Sequence, residues 1–156
     1  MRCDALDRLG IARIACEPAE AGAHVAAFIA AFVAVDARER ATALWRRDGW
    51  GPRLSKLLFR RLDPRWCALD DRQSRPSHWP ASFLRQGVYV DRGGDGLLMS
   101  LENASSASLA RCRDALFSIE PGRLAALFHH EWGVVWCAIA AGPTTPTIGS
   151  SPRKGR

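Results

Sequence analysis

What the chain has little of narrows its class first. No run reaches the roughly 18–20 uninterrupted apolar residues that a membrane span needs. The nearest, Ala21 to Val35, is interrupted by His24 and ended by Asp36. The first twenty residues carry Arg2, Asp4, Asp7, Arg8, Arg13, Glu17 and Glu20, which leaves no apolar signal-peptide core there. Together these absences predict a cytoplasmic protein in a reducing setting, with no membrane partner. Cysteine is sparse and widely spaced: Cys3, Cys16, Cys67, Cys112 and Cys137 are an odd number with no C-x-x-C. A disulfide scaffold or a zinc knuckle would need close, paired thiols, so these are expected to be small buried hydrophobes. Lysine is almost missing, with Lys56 and Lys154 the only two among 22 basic residues. Such arginine bias beside so many alanines is typical of GC-rich bacterial coding, and it weakens any case that arginine was selected here for its forked geometry.

Catalytic signatures are missing too. The glycines at 93, 94 and 96 lack the G-x-G-x-x-G spacing of a phosphate cradle and read as turn residues. A Cys67 or Cys137 thiol could in principle meet a distant histidine. No nucleophile elbow or glycine-rich oxyanion loop accompanies either cysteine, so inert thiols are expected.

What remains is ordinary globular material. The chain has 156 residues, 47% hydrophobic and 24% charged, with a net charge of +6. That composition predicts one domain over residues 1–141. Residues 142–156 are rich in Pro, Gly, Ser and Thr and are expected to be a disordered basic tail.

Apolar periodicity predicts one long helix from Pro18 to about Arg47, with Val25, Phe28, Ile29, Phe32 and Val33 as its ridge and Asp36 paired to Arg40 outside. Asp48-Gly49-Trp50-Gly51 breaks it, and Pro52 opens a second helix ending near Asp63, before Pro64. That helix has Leu54, Leu57, Leu58 and Leu62 on one side and Arg53, Lys56 and Arg60 on the other. A loop over 70–80 and a short helix from Pro80 through Gln86 follow. Val88-Tyr89-Val90 and Leu97-Leu98-Met99 read as strands, and Asn103 or Ser105 as the cap of a helix carrying Leu109, Cys112 and Leu116. Glu120-Pro121-Gly122-Arg123 has type II turn chemistry between strands 116–119 and 124–128. Val134 to Ala140 is apolar on both alternating sets, so this strand is expected to be covered on both faces. The fold class is therefore α+β: a helical N-terminal half on a small antiparallel meander.

Several of these residues look familiar as a set. Leu62-Asp63-Pro64-Arg65, Tyr89-Val90, Asp95-Gly96, Leu101-Glu102-Asn103-Ala104 and Ser118-Ile119-Glu120-Pro121-Gly122-Arg123-Leu124-Ala125 occur in that order. Over roughly residues 38–140 the chain resembles a family of small bacterial cytosolic proteins without an assigned activity, in which basic helices end in an LDPR step before an S-x-x-P-G-R-L-A hairpin. The resemblance implies the fold and the cytosolic setting, and no reaction. The sequence departs from that pattern at His129-His130-Glu131-Trp132, where an acidic loop would be expected, and in its shortened Tyr89–Gly96 connection.

Two constellations carry chemistry. Between Arg38 and Arg65 lie nine cations against three anions, an excess equal to the whole chain's charge. Trp45, Trp50 and Trp66 are interleaved with them, a pattern that suits phosphate neutralisation with base stacking. Arg46, Arg47, Arg53, Lys56, Arg60 and Arg61 are the candidate nucleic-acid contacts, the alternative being a solvated helix face with the tryptophans turned inward. The second constellation is His129, His130 and Glu131, with His78 elsewhere, as candidate metal ligands at a hairpin tip. Adjacent strand residues point to opposite faces, so only one of the two histidines would naturally join a site.

The reading that leads is a non-catalytic cytosolic interaction or regulatory module without a cofactor. It would engage a protein partner or a second copy through apolar surface on the first helix, with Trp79 as the most exposed aromatic. The alternatives are nucleic-acid binding through the Arg38–Arg65 face and a metal protein or enzyme at His129/His130/Glu131.

Overall fold

A computed structural model describes residues 5–70, 79–92, 96–129, 131 and 133–139. Their elements are α1 (Ala5–Arg8), β1 (Ile14–Ala15), α2 (Pro18–Phe32), α3 (Arg38–Asp48), α4 (Pro52–Arg60), β2 (Cys67–Asp70), β3 (Gln86–Asp91), β4 (Leu97–Ser100), α5 (Leu101–Arg111), β5 (Ala115–Glu120), β6 (Leu124–His129) and β7 (Gly133–Ala138). The seven strands form one antiparallel sheet in the order β1-β4-β3-β5-β6-β7-β2. The α+β class read from the sequence is the class observed, and the expected meander is β5–β6–β7 at its centre. The sheet is larger than expected because two N-terminal segments, β1 and β2, close its edges.

Helices cover both faces. The ridge of α2 (Val25, Phe28, Ile29, Phe32) packs with Ala41 and Leu44 of α3 and Leu54 and Leu58 of α4 against Val88, Val90, Leu116, Leu127, Val135 and Cys137. On the opposite face Leu101, Ala104 and Ala107 of α5 join Leu6 and Ile11 over Tyr89, Met99, Phe117, Ala126, Phe128 and Val134. Strand periodicity of two sends alternate residues to the two cores, which is why β7 is apolar on both sides, as its sequence implies.

The hairpin at Pro121 forms as its residues dictate. Arg123 N–H donates to the Glu120 carbonyl at 2.9 Å, and Gly122 sits at φ 73°, the left-handed value a type II turn needs there. An added Cβ would lie 3.4 Å from the Ala27 carbonyl of α2, so the turn is also packed against a helix.

Other expectations need correction. The long first helix is two, separated by an extended Val33-Ala34 and a 3-10 turn at Val35–Ala37. The interruption comes from a distant segment: Val33 bridges Leu62, Ala34 N–H donates to the Arg61 carbonyl at 2.7 Å, and Asp63 N–H donates to the Phe32 carbonyl at 2.7 Å. Asp36 consequently pairs with Arg61 and not Arg40. The Pro80–Gln86 helix is a 3-10 turn over Ala81–Phe83 that passes directly into β3. Ser100 caps α5, accepting from Asn103 N–H at 3.2 Å. That helix ends at Cys112 in the left-handed region, so Leu116 belongs to β5. Trp79 is half-buried against the α5-side core rather than exposed. The tail expected over 142–156 lies outside the described residues, and no described helix is long and apolar enough to cross a membrane.

Candidate functional site

The basic segment folds into an α-hairpin, and its charges sort by what each can reach. Gly49 at φ 69° ends α3, and Pro52, whose missing N–H costs nothing at a first helical position, starts α4. Each helix turns its aliphatic side to the sheet, which leaves its arginines on the outer side. Between the two helices runs a groove of about 650 Å³ with Leu44 and Leu57 along its floor. Its walls carry Arg40 and Arg47 from α3, with Arg53, Lys56, Arg60 and Arg61 from α4 and its end.

Of these six, two are engaged. Arg61 forms an ion pair with Asp36, and that hydrogen bond holds the Asp36 carboxyl below its usual range. Arg47 reaches the neighbouring Asp48 at 3.2 Å. Arg40, Arg53, Lys56 and Arg60 are exposed and have no acidic or hydrogen-bonding partner among the described residues. Arg46 is exposed on α3 but does not line the groove. At the segment's ends, Arg38 donates to the Val33 carbonyl at 2.8 Å. Arg65 forks onto Asp63, with its shortest contact at 2.7 Å. The hydrogen bonds from Arg65 keep the Asp63 carboxyl low.

The tryptophans do not line up with the cations. Trp50 is buried and donates its indole N–H to the Asp114 carbonyl at 3.2 Å. Trp45 and Trp66 are partly buried against the helix-side core, and Arg65 lies 5.5 Å over the Trp66 ring. Trp50 thus takes the inward-turned alternative, while Trp45 and Trp66 keep part of their surface open.

A network fixes where α4 begins. Ser55 donates to the Asp114 carboxylate at 2.6 Å, beside the Trp50 bond to the same residue. Asp114 directly follows Arg113, which approaches Asp91 at 3.6 Å. Buried Asp91 accepts from Tyr89 Oη at 2.7 Å and Arg111 Nη1 at 2.9 Å. Burial, reinforced by Asp91, pushes the Tyr89 hydroxyl up, so it stays a donor. A smaller hollow of about 160 Å³ opens between Ser55, Arg92, Cys112 and Arg113, extending the basic surface past the start of α4. Nothing in the sequence pattern marked this network, because its members are distant in the chain and individually unremarkable.

At the proposed metal positions, His129 packs edge-on against Phe59 with ring centroids 5.2 Å apart, and Glu131 N–H donates to its Nδ1 at 3.2 Å. His78 and His130 lie outside the described residues. Among the described residues no three His, Cys, Asp or Glu side chains gather as a metal would need. Among the described residues neither Cys67 nor Cys137 is paired with a histidine; the two cysteines face one another across β2 and β7.

The arrangement thus defines an antiparallel α+β domain with a cationic groove between two helices of one layer. No known protein family, curated protein or solved structure matches the chain.

Proposed function

We propose that this protein is a cytoplasmic, non-catalytic module that binds the phosphate backbone of nucleic acid in the α3–α4 groove. The observation that carries this reading is the set Arg40, Arg53, Lys56 and Arg60, four cations on one groove with no counter-charge among the described residues. Carboxylates elsewhere on the same segment do find arginine partners, as Asp36 and Asp63 do. Leaving four cations without such partners suits a polyanion that supplies the missing charge from outside.

Stacking is not part of the reading, because none of Trp45, Trp50 and Trp66 lines the groove; recognition is by charge and groove shape and is indifferent to base sequence. The α2 ridge that would have served a protein partner is consumed by packing on the sheet, so the interaction-module reading is carried by this groove instead. Kinship with the small bacterial family remains part of the proposal and rests on the Ser118–Ala125 hairpin.

Fluorescence anisotropy with a labelled duplex and a labelled single strand tests it. Four phosphate contacts predict a log–log salt slope of about −3.6 on duplex and about −2.8 on single strand. Replacing Arg53, Lys56 and Arg60 together by glutamine leaves one contact and a duplex slope of about −0.9. Absence of binding at low salt, or an unchanged slope in the triple variant, removes the proposal.

A further inference from the structure

Strands β2 and β7 place Cys67 directly opposite Cys137. The pair is of the non-hydrogen-bonded kind, because Ala138 N–H donates to the Trp66 carbonyl at 3.0 Å, one residue outward on each strand. At such positions the Cα atoms approach to about 4.5 Å and the side chains lean together. A disulfide spans Cα separations of about 4.4–6.8 Å, so the backbone already sits where a bridge would hold it. Both sulfurs lie on the face covered by α2, α3 and α4 and are free thiols, Cys67 donating to the Phe32 carbonyl and Cys137 to the Val135 carbonyl, each at 3.9 Å.

Their surroundings differ in a useful way. Cys137 is fully buried. Cys67 is partly open, at the mouth of an apolar cleft of about 210 Å³ formed by Phe59, Leu62, Pro64, Leu69 and Val135. One sulfur is therefore reachable by a small uncharged oxidant and the other only by its neighbour. We propose that Cys67 and Cys137 form a redox modification site, in which a hydroperoxide oxidises Cys67 through this cleft and Cys137 resolves it to a cross-strand disulfide.

The chemistry balances. The Cys67 sulfur attacks the peroxide, the O–O bond breaks, an S–O bond forms, and the distal oxygen leaves as water (an alcohol for an organic hydroperoxide) with the thiol proton. The Cys137 sulfur then attacks the Cys67 sulfenic acid. An S–S bond forms, the S–O bond breaks, and the hydroxyl departs as water with the Cys137 proton. The pair loses two electrons and the peroxide gains them. Burial pushes the Cys137 thiol well above its ordinary value, with the neighbouring Cys67 adding to this, which sets it apart from its more open partner. The other described cysteines lack an opposed thiol: Cys16 lies beside Glu20, and Cys112 is exposed at the end of α5. The bridge would tie edge strand β2, paired on one side only, to the sheet.

The test uses the full chain carrying Cys112→Ser, treated with hydrogen peroxide, alkylated and analysed by intact mass and peptide mapping. The expected product is two hydrogens lighter, yields one linked peptide containing Cys67 and Cys137, and returns to the free form with dithiothreitol. In C137A, which keeps a small apolar side chain in the core, Cys67 should instead accumulate as a sulfenic acid trapped by dimedone. Cys67 carried to the sulfinic acid with Cys137 still free, a link to a different cysteine, or both thiols untouched would each overturn the proposal. The mass reading needs no substitution at either cysteine, so poor folding of C137A cannot produce a false negative.

Discussion

Replacing Asp91 by asparagine keeps the shape of the side chain and removes the charge on which two arginines and a tyrosine converge. Asp91 is 1% exposed and the Arg111 side chain 15%, so that interaction is shielded from solvent on one side and nearly so on the other. Breaking a fully buried pair by removing one partner costs about 3–5 kcal/mol, because the survivor is left without its counter-charge. Arg111 keeps a little solvent access, and both short bonds, from Tyr89 and Arg111, end on one Asp91 oxygen, so an asparagine oxygen in that place can still accept them. Those two facts place D91N at the bottom of the range, about 3 kcal/mol. For a domain of this size that corresponds to a fall in Tm of about 6–12 °C. Urea unfolding followed by circular dichroism measures it. Converting Arg111 to methionine in the same chain removes the cation that faces this position, so the losses of the two substitutions should be less than additive. A D91N domain within about 1 kcal/mol of the parent, or a double variant with fully additive losses, would refute the reasoning.

Two further outcomes follow from residues on α2 and the hairpin. His24 is buried, shares a 2.6 Å hydrogen bond with Ser118 Oγ, and has its pKa held below 6.5 by burial, partly offset by Glu20. In the unfolded chain it takes up a proton as pH falls through about 6.5, while the folded chain does so only at lower pH, so stability should decline on the acid side of that value. Denaturation midpoints between about pH 7.5 and 5 should fall less steeply in H24Q than in the parent; parallel curves would contradict this. Gly122→Ala should cost about 1–2 kcal/mol by thermal melt, because an L residue is strained at that φ and its Cβ meets the Ala27 carbonyl. G122N, which tolerates the left-handed region better, should lose less, and equal losses would point to the Ala27 contact instead.

Local chemistry was legible in the sequence and long-range chemistry was not. The Pro121-Gly122 turn could be read because four adjacent residues contain its whole explanation. The coverage of β7 on both faces could be read because period two needs only six residues. The outward set Arg53, Lys56 and Arg60 followed from helical spacing in the same way. The break at Val33-Ala34 could not be read, since neither residue disfavours a helix; backbone groups of Leu62 and its neighbours claim that position from another element. The edge strand β2 was missed because its four residues acquire a partner only from the last strand. For the same reason the Cys67–Cys137 register left no trace in spacing. Trp50 shows the limit for the site: its place in the sequence set it among cations, and only its burial and its bond to the Asp114 carbonyl reveal that it faces inward.

The position of β2 beside β7 has a consequence for how the chain matures. Emerging from the ribosome, residues 67–70 must wait for residues 133–138 before their ladder can close. The apolar sides of α2, α3 and α4 likewise have only one another and β3 to settle on until β5 and β6 are synthesised. Folding thus depends on contacts between segments far apart in the sequence, a topology that slows the search and prolongs exposure of sticky surface during translation. Chaperone demand should therefore be set by the last strand made, and a premature stop just ahead of Gly133 should release a chain in which β2 has no partner and the core under the cationic hairpin lacks Val135 and Cys137.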